Sequence, residues 1–505
     1  MSTPLASFSL PASSELRVEL SSNPTLVAPL SDLSGSLVSI TVLAGTAEVF
    51  GSELPLNRPV RLPPGPASLP VFTFYGCKLI LHPTNAESEV GADPTDPLPA
   101  YCLTGALINA CPAFDEDTEI ANVEMSYLAS ADSDSTFLPI LNCHAQLEVL
   151  RDAARAQPKQ AKSPPPRVLV LGDENSGKLT VLKTLAAYAL KVGRRPLVAN
   201  LDPSRALDGV TPVPCTVGAS ALMSADAGAA AFADPSLLAS FRTSRLSSSY
   251  PVNYFFSDPS PSSNPAHYNL LLDSLGAALR ARHAEPPSPA AESERSSGLL
   301  ALGPARARPE LHEHAVEALG VSVVLIVGDD RLYATLGKKF KNKDVKVIKL
   351  PVSGGVLKKD SQDRSALRAQ LMRSYFAPPA SGLSTIPVSK CAFYKLSSVA
   401  VSTAMLPVGQ KQVSACVHLT KVDYPDPNTV IAVCSPLNAK RFAGGDEGAL
   451  YRGGVAGYVC VEKCDEEREE VTLTVPVKGE LPSYTFLVGD DEDAFGKIAI
   501  NAQQQ

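Results

Sequence analysis

At 505 residues, 45% of them hydrophobic, the chain is too long for one compact core and supports three or four, at about 150 residues per domain. A net charge of −7 and a pI near 5.6 exclude a global positive field that would draw the protein onto nucleic acid, so any RNA contact must come from a local basic feature. No basic residue precedes Arg17, and the longest apolar run, Val321 to Val327, is interrupted by Ser322. That pattern argues against a signal peptide and against a membrane span, and predicts a soluble intracellular protein.

Residues 8–80 break into short β-type runs, Leu16 to Leu20, Leu37 to Val42, Thr46 to Phe50, Val71 to Phe74 and Lys78 to Leu81, separated by Pro- and Gly-rich turns. They predict an all-β domain. Residues 84–136, with Asp115 to Asp117 and Ser130 to Ser135, read as an acidic insertion with exposed loops; solvated carboxylates explain it better than a metal site. Asn142 to Arg155 reads as a helix with Leu147 and Leu150 on one face, and Lys159 to Pro166 as a linker. His144 has no base or metal partner at suitable spacing, so it is expected to pack or hydrogen-bond.

Arg167 to Leu190 is the most informative stretch. Val168 to Leu171 is aliphatic without polar alternation, as in a parallel strand buried on both faces. Gly172, Asp173, Glu174, Asn175, Ser176, Gly177 and Lys178 then satisfy G-x-x-x-x-G-K, and Leu179, Leu182, Ala186 and Ala189 recur at helical spacing. Strand, glycine loop and helix together make a phosphate cradle. Glycines let the backbone N–H groups converge, the helix N-terminus adds partial positive charge and Lys178 a full one. A chance glycine-lysine turn would not carry both flanking elements. The residue after the lysine should supply a hydroxyl to Mg²⁺, but it is Leu179. Thr180 follows, turned about 100° further round the helix.

Pro196 to Leu201 reads as a second strand, ending at Asp202, where α/β sheets bind ligands. Val210 to Val217 reads as a Pro-rich loop, followed by small residues to about Ala231 that match no template. A helix is predicted over Leu270 to Arg282, and a disordered surface insertion over His283 to Ser297. Leu299 to Leu302, Val321 to Val327 and Val345 to Leu350 are short strands with helices between them at 309–319 and 330–337, which predicts a parallel, doubly wound sheet. The lysines of Lys338 to Lys346 suit a solvated turn better than an RNA patch. Arg364, Arg368 and Arg373 lie on a predicted helix, the first two at i, i+4, where they serve either as a solvated face or as stabilisers of phosphoryl charge. Beyond Pro378, residues 387–490 return to β-type runs. The ten cysteines, Cys77 to Cys464, lack C-x-x-C spacing and are expected to be reduced and mostly buried.

In their order, several segments resemble the polynucleotide 5′-hydroxyl kinase family typified by the Clp-type subunit of the pre-mRNA cleavage and polyadenylation machinery, cleavage factor IA. They are ELRVE from Glu15, GTAEVFGSEL from Gly45, VFTFYGC from Val71, NCHAQLE from Asn142, the glycine loop, GRRPLVANLDPSR from Gly193, SGGV from Ser353, RSALRAQLMRSYF from Arg364 and GYVCV from Gly457. The resemblance implies an N-terminal β-sandwich over residues 1–150, a linker over 151–166, a P-loop kinase-like domain over 167–380 and a small, mainly β domain over 381–505. It implies ATP, with Glu15 at the adenine, a partnering lysine replaced by Ser68, residues Gly172 to Thr180 at the phosphates, Asp202 as the metal-organising or catalytic carboxylate, and Arg364 and Arg368 as a lid.

The departures fall on the chemistry. Active relatives carry a hydroxyl where this chain has Leu179, a glutamine where it has Arg205, and a tryptophan near Leu302 to Ala305, whereas this chain has no tryptophan. The resemblance therefore implies a nuclear, ATP-binding subunit of the 3′-end processing complex with lost or weakened kinase activity. Its partners would be the scaffold subunit and other 3′-end processing subunits, with RNA as a further candidate and no membrane. The alternative is an active ATP-dependent polynucleotide 5′-hydroxyl kinase; a nucleotide-driven switch fits the P-loop but not the β domains.

Overall fold

The computed structural model describes residues 6–20, 37–61, 67–84, 125–130, 137–156, 164–207, 210–221, 252–284, 289–376, 382–398, 417–476 and 479–489. The N-terminal strands form two facing antiparallel sheets. One orders Ala6–Leu10, Cys77–Thr84, Leu37–Gly45 and Val60–Arg61; the other orders Ser52–Glu53, Glu48–Val49, Ala67–Thr73, Ser14–Leu20 and Met125–Ser130. Leu16, Val18, Ile40, Val42, Leu69, Val71, Leu79 and Leu81 fill the space between them. Strand alternation sends Glu15 and Arg17 to the opposite face of the second sheet, where both are nevertheless buried. The acidic segment contributes an edge strand, Met125–Ser130, against Ser14–Leu20. Asp115 to Asp117 lie outside the described residues.

The central sheet has five parallel strands in the order Lys346–Leu350, Val323–Val327, Arg167–Gly172, Leu299–Leu302 and Leu197–Asn200. Val168 to Leu171 are fully buried because helices cover both faces. Leu169 and Leu171 pack with Leu271, Leu275, Leu311 and Leu336 on one side; Val168 and Val170 pack with Leu182, Leu185 and Ala186 on the other. This is the predicted doubly wound arrangement. The helix expected from Asn142 begins earlier and spans Phe137–Ala156, lying against the P-loop helix Lys178–Lys191.

Two expectations are corrected. The loop expected over Val210 to Val217 ends early, at a strand Thr216–Ala221 that runs into the stretch matching no template and pairs antiparallel with Leu197–Asn200 and with Val252–Phe255. Its small residues give no β signature, and Gly218 is instead required by the close approach of Asn253 and Val252. The stretch from Leu222 to Ala231 lies outside the described residues. The low-complexity segment contains a helix, Pro289–Ser297, not a disordered insertion. Its polar sequence is held by tertiary partners: Glu294 takes a bidentate pair from Arg282 at 2.5 and 2.9 Å, and the Ser297 carbonyl accepts from the buried Arg151 at 2.9 Å.

The C-terminal residues form the mainly β region expected beyond Pro378, and its strands join the central sheet. Asn253 pairs with Val455, so Val455–Asp465 and its neighbours continue the central sheet into one of 14 strands. Met372 and Phe376, from the arginine-bearing helix Ser361–Phe376, pack into the C-terminal core with Leu396, Tyr458 and Leu487. Among the described residues, no helix is long and apolar enough to cross a membrane, and the described cysteines are all free.

Candidate phosphate-binding site

The glycine loop leaves the C-terminal end of the strand Arg167–Gly172 and turns into the helix Lys178–Lys191. Gly172 has φ +151°, and a Cβ there would lie 2.7 Å from both the Val327 carbonyl and the Ser176 hydroxyl. Gly177 caps the helix at φ +85°, with Val356 of the SGGV loop 3.1 Å from where a Cβ would stand. Neither position admits another residue without strain. Asn175, at φ +54°, donates its side-chain amide to the Lys359 carbonyl at 3.0 Å. The Ser176 hydroxyl is buried and makes no hydrogen bond among the described residues.

Lys178 is buried, with its ammonium folded back to 3.4 Å from the Gly172 carbonyl and 3.5 Å from Asp202 Oδ2. Burial pushes this ammonium below its usual range, Arg205 adds to the effect and Asp202 opposes it. Asp202 follows the strand Leu197–Asn200. Asn200, fixed by the Thr211 hydroxyl at 2.7 Å, accepts from the Asp202 N–H at 3.1 Å. Asp202 Oδ1 accepts from the Ser204 hydroxyl at 2.6 Å and from its N–H at 3.2 Å; Oδ2 faces Lys178 and, at 3.6 Å, Arg205 Nε.

Arg364 and Arg368 project from the helix Ser361–Phe376, as the i, i+4 spacing predicts. Arg364 donates to the Lys359 carbonyl at 2.7 Å and pairs with Glu174 of the loop at 3.4 Å. Arg368 is half-buried; burial lowers its pKa, with Arg364 and Arg205 adding to the effect and Cys215 opposing it. Thr180 is half-buried, and its carbonyl accepts from Thr184 at 2.9 Å.

Glu15 pairs with Arg17 at 2.6 Å, and an Arg17 guanidinium nitrogen lies 3.1 Å from where a Cβ on Gly354 would stand. The sandwich thus reaches the SGGV loop, which itself touches Gly177. Ser68 lies on the same sheet, in register with Glu19. Leu302 to Ala305 runs between the P-loop strand and the Asp202 strand, since the Gly303 N–H donates to Val170 and the Leu201 N–H to Leu302, each across the sheet. His144 packs on the Tyr188 ring at 5.2 Å with its pKa lowered chiefly by burial, the packing role expected of it.

Three neighbours of the site escaped sequence reasoning. Arg306, at φ +53°, pairs with Glu174 at 3.1 Å and Asp173 at 3.8 Å. Lys359 is half-buried, and its ammonium is pushed down by burial and by Arg205. His312 is buried, with its pKa pushed down to about 4 by burial and by Lys178. The Lys358–Lys359 pair just before the arginine helix could have been noticed; His312 sits in an ordinary amphipathic helix and carried no signal.

For Mg²⁺, which the family resemblance leaves possible without its usual hydroxyl ligand, these residues are a poor fit. Leu179 packs against the apolar core on the P-loop helix side, Asp202 Oδ1 is taken by Ser204, and Oδ2, which has no hydrogen-bond partner among the described residues, stands between the cations Lys178 and Arg205.

Three family models match in chain order: the N-terminal beta-sandwich domain of polyadenylation factor over residues 9–154, the mRNA cleavage and polyadenylation factor CLP1 P-loop over 172–378, and pre-mRNA cleavage complex II protein Clp1 over 382–492. The mRNA cleavage and polyadenylation factor CLP1 of Coccidioides immitis is 29% identical over 419 residues, 79% of this chain. The match spans 65% of that fungal relative's length, just under two thirds. The CLP1 homolog of Aedes aegypti is 25% identical over 494 residues, covering 96% of this chain and 97% of the relative. Two solved structures share the fold: a wild-type Clp1p–Pcf11p complex, with TM-score 0.67, 18% identity and 96% and 97% of the two chains covered, and a second Clp1p structure. The latter addresses an extended interface with Pcf11p and ATP loss in a glycine-to-arginine mutant, with TM-score 0.68, 19% identity and coverage of 96% and 98%. The chain belongs to the Clp1 family, with that family's P-loop nucleotide-binding domain at its centre.

Proposed function

We propose that this protein is a nuclear, ATP-binding subunit of the pre-mRNA 3′-end cleavage and polyadenylation complex whose capacity for phosphoryl transfer is lost or weakened. Gly172 to Thr180 cradle the triphosphate, Lys178 and the lid arginines Arg364 and Arg368 meet its charge, and Glu15, with Arg17, closes the adenine end. The partner is a scaffold subunit of the kind that Pcf11p represents for the solved Clp1p structures. Bound nucleotide then stabilises the folded arrangement by mass action.

One observation carries the reading: Asp202 is flanked by fixed cations, with Oδ1 taken by Ser204 and Oδ2 lying 3.5 Å from Lys178 and 3.6 Å from Arg205. A carboxylate that accepts twice from Ser204 and stands between Lys178 and Arg205 is a weak acceptor for an incoming hydroxyl proton. The retained P-loop lysine and lid arginines favour the second reading, an active 5′-hydroxyl kinase. Incubating 5′-hydroxyl RNA oligonucleotides with labelled ATP separates the two: no incorporation above background supports the assembly subunit, and turnover of about 1 s⁻¹ or faster, typical of kinases, overturns it.

A further inference from the structure

Around the glycine loop, the chain gathers more positive charge than its neighbouring carboxylates balance. Lys178 and Arg205 share one oxygen of Asp202, at 3.5 and 3.6 Å. Arg306 and Arg364 share Glu174, at 3.1 and 3.4 Å, with Asp173 3.8 Å from Arg306 and Asp363 acting on Lys359 as the further carboxylates. Lys359 and Arg368, both half-buried, make no ion pair among the described residues. Three buried polar atoms at the same place, the Ser176 hydroxyl, Arg205 Nε and Asp202 Oδ2, have no hydrogen-bond partner among the described residues, and the first two can donate. Cations held together with little counter-charge, beside unpartnered donors, mark an anion site.

The position of Arg205 makes this specific. In P-loop proteins a divalent cation stands between the acidic residue and the phosphates, ligated by the hydroxyl that follows the lysine. Here the hydroxyl is replaced by Leu179, packed into the core, and the side of Asp202 that would organise the metal faces a guanidinium. Arg205 Nε is 3.6 Å from Oδ2, its side chain is one-third exposed (33%), and its charge is felt by Lys359 and Arg368. Lys359 is anchored to the same loop through its carbonyl, which takes the Asn175 amide at 3.0 Å and Arg364 at 2.7 Å.

We propose that the protein binds ATP without a divalent cation, with the Arg205 guanidinium, assisted by Lys359, supplying at the phosphates the positive charge that Mg²⁺ supplies in catalytic relatives. The inference rests on the ATP-binding reading above. It adds that binding is independent of metal, and it explains how the nucleotide could be kept while the reaction is not: a fixed guanidinium neutralises phosphate charge but does not rearrange with the transferring group as a metal does.

Calorimetric titration of the full-length protein, stripped of nucleotide, with ATP in EDTA and then in Mg²⁺ tests it. The expected result is a Kd in EDTA within about threefold of that in Mg²⁺, and a loss of at least about tenfold in EDTA for Arg205→Gln, the scale of one charge-assisted hydrogen bond. Arg205→Lys should recover most of that loss, and thermal melting of each variant without nucleotide checks folding. A tenfold or greater weakening of the wild type by EDTA overturns metal independence while leaving ATP binding standing. Equal binding by Arg205→Gln in EDTA overturns the role of Arg205. Absence of binding in both buffers overturns the ATP reading itself, and this inference with it.

Discussion

The phenol of Tyr188, on the P-loop helix, donates to the carboxylate of Glu48 on the N-terminal sandwich, and Lys191 donates to the other oxygen at 2.7 Å. Glu48 and Tyr188 are both buried, and burial together with Glu48 pushes the Tyr188 phenol far above its usual range. The sandwich is therefore tied to the back of the P-loop helix by a polar contact sealed from water. Glu48→Ala should strand the buried phenol and cost about 1–3 kcal/mol in chemical denaturation. Adding Tyr188→Phe should recover most of the loss; no recovery would show that the contact contributes through something other than this pair.

Purified gently, the wild type should carry adenine nucleotide detectable by mass spectrometry, and added ATP should raise its melting temperature. Free ligand at a hundred times Kd stabilises by about 2.7 kcal/mol. Lys178→Ala should lose both the nucleotide and the shift. A wild type with no bound nucleotide and an unmoved melting point would count against ATP as a structural ligand.

Leu179→Ser should fail to restore RNA phosphorylation. It supplies a hydroxyl but removes an apolar side chain from the helix packing, and Arg205 still faces Asp202. Pro304, buried in the segment that resembles the aromatic clamp of active relatives, still cannot stack a base. Since positioning of reactants accounts for several kcal/mol of barrier, about 7–11 in favourable cases, a metal ligand alone leaves most of the deficit. Robust phosphorylation by the single variant would mean that acceptor positioning is intact.

Acid should destabilise the fold before its carboxylates titrate. His267 and His312 are buried, and burial holds both near pKa 4, against 6.5 when unfolded. The unfolded chain therefore takes up protons first, so the stability these neutral rings contribute is fully present above pH 6.5 and declines as pH falls toward about 4. From pH 7.5 to 5.5 the loss should be about 1.4 kcal/mol for each ring. Denaturation at the two pH values checks the slope, and His267→Gln, which should keep a donor for the Tyr451 carbonyl, should flatten it. An unchanged slope in that variant would assign the acid sensitivity elsewhere.

If nucleotide serves assembly, Glu15→Ala and Lys178→Ala should both weaken capture of the scaffold subunit. Arg364→Ala and Arg368→Ala, on the lid, should leave it nearly intact. Pull-down with folding checked by circular dichroism reads this directly. Equal capture by all four would separate nucleotide from assembly, and selective loss with the arginine variants would make the lid the interaction surface.

What the sequence determined by itself was local. The aliphatic run Val168 to Leu171, the two glycines and Lys178 specify strand, cradle and helix within one short stretch, and Leu179 announces the missing metal ligand without reference to anything distant. The spacing of Arg364 and Arg368 likewise fixed their shared face. Only the tertiary structure decided what surrounds the loop. Lys359 meets Asn175 from 184 residues away, and Glu48 meets Tyr188 across 140. No periodicity encodes such encounters, because they depend on how covered faces pack. The same reason explains the small-residue strand Thr216–Ala221, whose composition does not favour its conformation and which is held by partners that come together only when the chain has folded.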